Sequence, residues 1–167
     1  MRMNQPQSVR FRSALPGDAD AIFAIYRSWI GSPYCTWSDE YPTRDLVDTD
    51  LADNALYCLD DGRNILAVAT VRYWAEHDTV APWHSRNPID LMRIAVARNH
   101  QNRGLARLLL EHLTNLTRST GHDGMRILVA KKNLPAVRLY QNAGAIRRGE
   151  VFLYGTDWFC DEIVYTD

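Results

Sequence analysis

Lysine is almost missing from this 167-residue chain: of its 19 basic residues only Lys131 and Lys132 are lysines, and arginine supplies the rest. There is accordingly no lysine-rich tail, and a formal charge of −1 gives no overall pull toward nucleic acid or an anionic membrane. Arginine's planar fork suits bidentate phosphate contacts, although genomic base composition produces the same bias. Cysteine is scarce too. Cys35, Cys58 and Cys160 are an odd number without metal-type spacing, and no CxxC pair or Cys/His cluster exists, which argues against a disulfide framework or a zinc module. No apolar run approaches the roughly 20 residues that span a bilayer; the longest covers 65–71. Met1 to Ser8 is polar and lacks the apolar core of a secretory signal. These absences lead us to expect a cytoplasmic protein with reduced, mostly buried cysteines and no metal.

What is present is ordinary for a folded protein, with 46% apolar and 23% charged residues. The length suits one core, so a loose tail is expected over 1–8 and a single domain over 9–167. Val9-Arg10-Phe11-Arg12 alternates as a strand, ended by Leu15-Pro16-Gly17-Asp18. Asp18 is placed to cap a helix whose apolar Ile22, Ile25, Tyr26 and Trp29 recur at helical spacing. Gly31-Ser32-Pro33 stops it, 34–44 is irregular and aromatic, and a second helix is expected around 43–53. Strands near 55–60 and 64–74 meet at Asp60-Asp61-Gly62-Arg63, and 75–88 reads as loop. Ile89 to Ala97 is a strand; Leu105, Leu108, Leu109, Leu113 and Leu116 mark a long helix ending near Gly121. Met125 to Ala130 is an apolar strand, and Asn133 caps a short helix with Pro135 in its first turn and Gly144 as its stop. Two closing strands, 146–154 and 158–166, meet at Gly155-Thr156-Asp157. The order predicts an α/β (α+β) fold, a mixed sheet with helices on its faces.

The stretch from Ile94 to Arg107 carries the chemistry. An apolar strand runs into a polar turn, and Gly104 and Ala106 bracket the first turn of a helix. Small residues there let an anion reach the free N–H groups of the helix N-terminus, where the dipole also favours negative charge. A pyrophosphate suits such a place, and Arg98, Arg103 and Arg107 add positive charge. The bland alternative is a helix start that uses glycine for a turn and arginine for solvation. A P-loop is excluded because no Gly-Lys-Ser/Thr follows, and the Gly-x-Gly-x-x-Gly spacing of a dinucleotide fold is absent.

A second segment, Asn133-Leu134-Pro135-Ala136-Val137-Arg138-Leu139-Tyr140-Gln141-Asn142-Ala143-Gly144-Ala145, follows about 27 residues past Ala106. Gln101-x-x-Gly104-x-Ala106 resembles the acetyl-CoA signature Gln/Arg-x-x-Gly-x-Gly/Ala of the GNAT superfamily of N-acetyltransferases. The later segment resembles that superfamily's Asn-x-x-Ala-x-x-x-Tyr-x-x-x-Gly-Phe block, with Ala145 in place of Phe. The resemblance implies a mostly antiparallel sheet of six to seven strands flanked by about four helices. It implies that backbone groups around Ile94, Ala95 and Val96, beside a bulge, hold the pantetheine arm of acetyl-CoA. It implies further that the N–H groups of Asn102, Arg103, Gly104, Leu105, Ala106 and Arg107 cradle the pyrophosphate, helped by the side chains of Gln101 and Arg103. Asn133 would bond near the pantetheine, and Tyr140 would sit near the sulfur.

Transfer of acetyl from a thioester to an amine expels a thiolate, and a positioned phenol such as Tyr140 can act as general acid for it. Its bland alternative is a core tyrosine on a short helix. The amine needs a base or a water chain, because a lysine-like ammonium is neutral in under about 0.1% of molecules at pH 7. Asp90, Glu76, His77, Asp78 and His84 are candidates, each equally a solvated loop residue. Trp37, Tyr41 and Glu76 are candidates for binding a cationic acceptor, and Trp37-Ser38-Asp39-Glu40-Tyr41-Pro42 is similar to a string in small bacterial members of the superfamily. The acceptor, a small molecule or a peptide N-terminus, is left open. So are a non-catalytic acyl-CoA sensor and a structural protein of the same fold. Aromatic Phe152, Trp158 and Phe159 near the closing strands lead to the expectation of a homodimer.

Overall fold

A computed structural model describes residues 8–166; the expected tail over 1–8 lies outside it except for Ser8. The strands are β1 (Arg10–Ser13), β2 (Leu56–Asp60), β3 (Ile65–Arg72), β4 (Pro88–Val96), β5 (Gly124–Ala130), β6 (Ile146–Leu153) and β7 (Thr156–Val164). They form a sheet of order β1-β2-β3-β4-β5-β7-β6, antiparallel except where β4 lies beside β5. The helices are α1 (Ala19–Ser28), α2 (Arg44–Ala52), α3 (Leu105–Ser119) and α4 (Leu134–Asn142).

Strand alternation assigns the two faces. On the first, α3 and α4 bury Leu105, Leu109, Leu113 and Val137 against Leu91, Ile127 and Val129. Each such leucine contributes about 1.5–3 kcal/mol of apolar burial. On the second, α1 and α2 bury Ile22, Ile25 and Val47 against Leu56, Cys58 and Val68. These helices cover only the β1–β4 half. Over the other half the second face is polar, with buried Asp90, Arg126 and Glu162, and the loop 73–87 crosses it. The N–H groups of His84 and Ser85 donate to Glu162 at 3.0 and 3.1 Å, which lays the loop across β7. That loop also contains a single helical turn, Ala75–His77.

Several local expectations are corrected. Asp18 does not cap α1 forward; its carboxylate reaches back to the Leu15 N–H at 2.7 Å and to Arg12 at 2.7 Å. The last hairpin turns at Tyr154-Gly155, with φ of 55° and 73°, and Leu153 pairs with Thr156, because a tight turn of this hand matches the twist of its strands. Of the aromatics behind the dimer expectation, Trp158 and Phe159 are half-buried by their own chain. The Trp158 indole donates to the Leu153 carbonyl at 2.9 Å, and Arg147 stacks 3.4 Å from the Phe159 ring centre. Phe152 alone of the three stays exposed. No described helix is long and apolar enough to cross a membrane.

Candidate active site

The site begins with an interruption in the sheet. β4 and β5 are paired only from Pro88–Gly124 to Leu91–Ile127. Beyond that point β5 stays zipped to β7 as far as Ala130–Trp158, while β4 turns away. The cause is a bulge: Val68 pairs with Ala95 and Thr70 with Met92, so β4 carries one residue more than β3 between those pairs. Arg93 takes up the excess with φ of 51°. The strands therefore diverge into a seam that opens toward their C-terminal ends.

Backbone polarity along the seam follows from the ladder. The Ala97 N–H donates to the Leu66 carbonyl at 2.8 Å, so Ala97 faces β3 and the alternation turns the peptide groups of Val96 the other way, into the seam. Ile94 stands in the bulge. Ala95 lies in register with Val68, and the same alternation turns its peptide groups toward β3 rather than into the seam. The Val96 carbonyl already accepts from the Trp29 indole at 2.8 Å, a contact the sequence did not signal, and keeps its second lone pair.

At the mouth of the seam α3 starts abruptly. Asn102 and Gly104 both have positive φ, 60° and 73°, and fold the loop back under the helix N-terminus. No described side chain caps it. Among the described residues, no protein acceptor is found for the N–H groups of Asn102 through Arg107, and the first helical bond is Leu108 N–H to Gly104 carbonyl at 3.0 Å. A Cβ at Gly104 would meet nothing within 4 Å. The result is an open cluster of donors at the positive end of a fifteen-residue helix, suited to an anion. The side chains expected to help are partly occupied. Gln101 donates to the Arg98 carbonyl at 3.0 Å and Arg107 to Glu111 at 3.2 Å. Arg103 lies 3.2 Å from His100, and Arg98 turns away to Ser32 at 2.6 Å and stacks on Trp29.

On the first face, Asn133 caps α4 by accepting from the Ala136 N–H at 3.3 Å, so its carbonyl oxygen serves the helix. Tyr140, in the last turn of α4, is 4% exposed and packs in the same core cluster as Leu105, Leu109 and Val129. Burial, reinforced by the charge of Asp161, pushes its phenol above the ordinary tyrosine value. It is therefore a protonated donor throughout the neutral range.

The second face brings together part of the expected acceptor set. Tyr41 is exposed on the α1–α2 loop, and its hydroxyl accepts from Arg93 at 3.0 Å. Glu76 is exposed on the 73–87 loop and accepts from the Tyr154 hydroxyl of the last hairpin at 2.9 Å. Trp37 is half-buried and packs edge-on against Tyr26, 5.1 Å between ring centres, as part of the α1–α2 core. The base candidates are mostly committed. Asp90 is fully buried and accepts from Arg126 at 2.7 Å and from the Trp74 N–H at 2.8 Å, with His77 at 3.1 Å. Asp78 accepts from the same Arg126 at 2.7 Å, and His84 serves Glu162 through its backbone. This network ties the loop to the sheet; Glu76, Asp78 and His84 remain exposed, and of these only Asp78 is held by Arg126. A cavity of about 390 Å³ lined by Thr36, Lys131, Lys132, Gly155, Thr156 and Asp157 lies beyond the C-terminal end of β5, beside the seam. A larger one of about 680 Å³, with Trp83, Pro88 and Arg126 in its wall, lies at the opposite end of β4 and away from the bulge. Among the described residues no group of three or more His, Cys, Asp or Glu is placed to hold a metal ion.

Sequence reasoning missed Arg93, Asp50 and Tyr154, which act through distant partners and leave no local pattern. The positive φ of Arg93 belongs to the bulge, and nothing in the residue type announces it.

Comparison with known proteins agrees with this geometry. The profile of the acetyltransferase (GNAT) family matches residues 22–145. A streptothricin acetyltransferase from Streptomyces lavendulae is 26% identical over 162 residues, covering 86% of this chain and 85% of its own. A GNAT-family acetyltransferase structure from Streptococcus agalactiae superposes with a TM-score of 0.80 at 21% identity, covering 96% of this chain and 98% of that one. The Salmonella typhimurium yncA structure, solved with its cofactor acetyl-CoA, superposes with a TM-score of 0.74 at 20% identity, covering 96% and 95% of the two chains.

Proposed function

The chain belongs to the GNAT family of acetyltransferases, and on that premise we propose that it moves an acetyl group from acetyl-CoA directly to a primary amine. The observation that carries this reading is the pairing of the seam with the uncapped start of α3. An extended arm with amide groups finds strand-like partners at Ile94 and Val96, and two phosphates find the N–H groups of 102–107 at the helix N-terminus. The acetyl thioester would then lie at the bulge, between the two faces of the sheet.

Tyr140 would serve the leaving sulfur. A phenol raised by burial does not readily surrender its proton to a thiolate with an ordinary value of about 8.5, so its contribution is a hydrogen bond that strengthens as charge develops on sulfur. The amine would approach from the second face, between Tyr41 and the Glu76–Tyr154 pair. Glu76 offers a carboxylate for the ammonium and a route for its proton into solvent. Trp37 contributes to that wall by packing the loop.

The test is CoA release followed with a thiol-detecting dye over a panel of polyamines, amino acids, peptide N-termini and streptothricin, the last chosen because of the Streptomyces relative. Release above the hydrolysis background with at least one amine is the expected result. Stabilisation by acetyl-CoA in a melting assay without release for any amine would identify a binding module instead. No stabilisation at all would overturn the acetyl-CoA reading.

A further inference from the structure

The bulge is held from its far side by a buried ion pair. Asp50 of α2 is 1% exposed, and its carboxylate accepts from Arg93 at 2.6 Å, from Thr70 at 3.0 Å and from Arg72 at 3.0 Å. Arg93 thus anchors one arm of its guanidinium in the core. The other arm donates to the hydroxyl of Tyr41 at 3.0 Å, on the exposed wall of the acceptor cleft. The side chain of Arg93 is only 7% exposed. It therefore runs as a strut from α2 through the bulge to the surface.

The choice of residue is informative. Glycine takes positive φ at a bulge without cost, whereas a side chain there is strained. An arginine kept in that conformation points to work done by the side chain. Tyr41 is also fixed through its backbone, since Ser38 and Tyr41 exchange N–H to carbonyl bonds at 2.9 and 3.2 Å. Its hydroxyl accepts from Arg93, so its own proton is free to point into the cleft as a donor.

We propose that Arg93, held by Asp50, is a positioning residue for the acceptor: it fixes the Tyr41 hydroxyl as a hydrogen-bond donor to an oxygen of the incoming amine's molecule. The inference rests on the acetyltransferase reading and adds to it a substrate feature, a carbonyl or hydroxyl oxygen close to the reacting amine. Two demands meet at Arg93: a second cation, beside Arg72, for the buried carboxylate of Asp50, and a rigid fork for Tyr41. Arg93→Lys separates the two needs. It keeps a charge beside Asp50 but replaces the rigid fork by a single ammonium that cannot hold both partners in the same geometry.

With the amine found in the release assay, Arg93→Lys and Tyr41→Phe should each raise the acceptor KM by about tenfold while kcat and acetyl-CoA affinity stay within about threefold, and the double variant should be no worse than either single one. An unchanged acceptor KM in Arg93→Lys, or additive effects in the double variant, would overturn the proposal. Amide hydrogen exchange needs no acceptor: Arg93→Lys should speed exchange over residues 38–43, and unchanged protection there would equally overturn it. Failure of the acetyltransferase reading is seen separately, as lack of acetyl-CoA binding by the unsubstituted protein.

Discussion

Tyr140 tests the chemistry one oxygen atom at a time. Tyr140→Phe keeps the buried ring among Leu105, Leu109 and Val129 and removes only the hydroxyl. If that hydroxyl stabilises the departing thiolate, the chemical step should slow by about 10²–10⁴ with acetyl-CoA affinity little changed. Single-turnover rates and calorimetric binding separate the two, and a rate within about threefold of the parent would leave Tyr140 a core residue. Individual residues were the least legible scale in the sequence. Gly104 and Asn133 could be placed because turns and caps are local, and they occupy the positions expected of them. Asp90 and His77 could not, since only the fold reveals that Arg126, distant in sequence, claims Asp90 and that Asp90 in turn holds His77.

Among the elements, α3 has the most to lose at the residue that precedes its first turn. Gly104 has φ of 73° and open space beside its absent side chain. Gly104→Ala should cost about 1 kcal/mol of stability through backbone strain alone and lower the melting temperature by a few degrees. Gly104→Glu adds a negative charge where the helix N-terminus awaits an anion, and should abolish detectable acetyl-CoA binding while the protein remains folded. Calorimetry beside circular dichroism decides, and near-normal affinity in that variant would defeat the phosphate assignment. Elements were largely legible because periodicity is a local signal: the leucines of α3 and the alternation of β1 suffice to identify them. The path of the 73–87 loop was not. Its course across the second face is set by Glu162 and Asp90, whose partners lie far along the chain.

For the molecule as a whole, buried phenols set a limit on the alkaline side. Tyr26 and Tyr140 are both raised above the ordinary value, first by burial. The folded protein therefore holds protons that the unfolded chain releases near pH 10, so stability present below about pH 10 falls as pH rises further. Urea midpoints should be flat from about pH 7 to 8 and decline above about 9, first through the Cys58 and Cys160 thiols, which burial also pushes up to about 11, and then through these phenols. Among the described residues the Tyr26 hydroxyl is buried without a hydrogen-bond partner, so Tyr26→Phe should cost little at neutral pH and flatten that decline. An identical alkaline slope in the variant would show that other groups control it.

The seam between β4 and β5 is an edge placed inside a sheet. Outer edges invite further strands, and proteins blunt them with charge, bulges or brevity. Here the invitation is kept but turned inward, so a guest of amides at strand spacing counts as an added strand. Any extended peptide could answer the same invitation. What it cannot do is engage the α3 donors at the mouth, which stay unanswered unless the guest carries an anion at its far end. On the proposed reading, discrimination between cofactor and stray polypeptide would be divided between two neighbouring elements of the chain, a bulged strand that accepts almost any backbone and a helix start that accepts only charge.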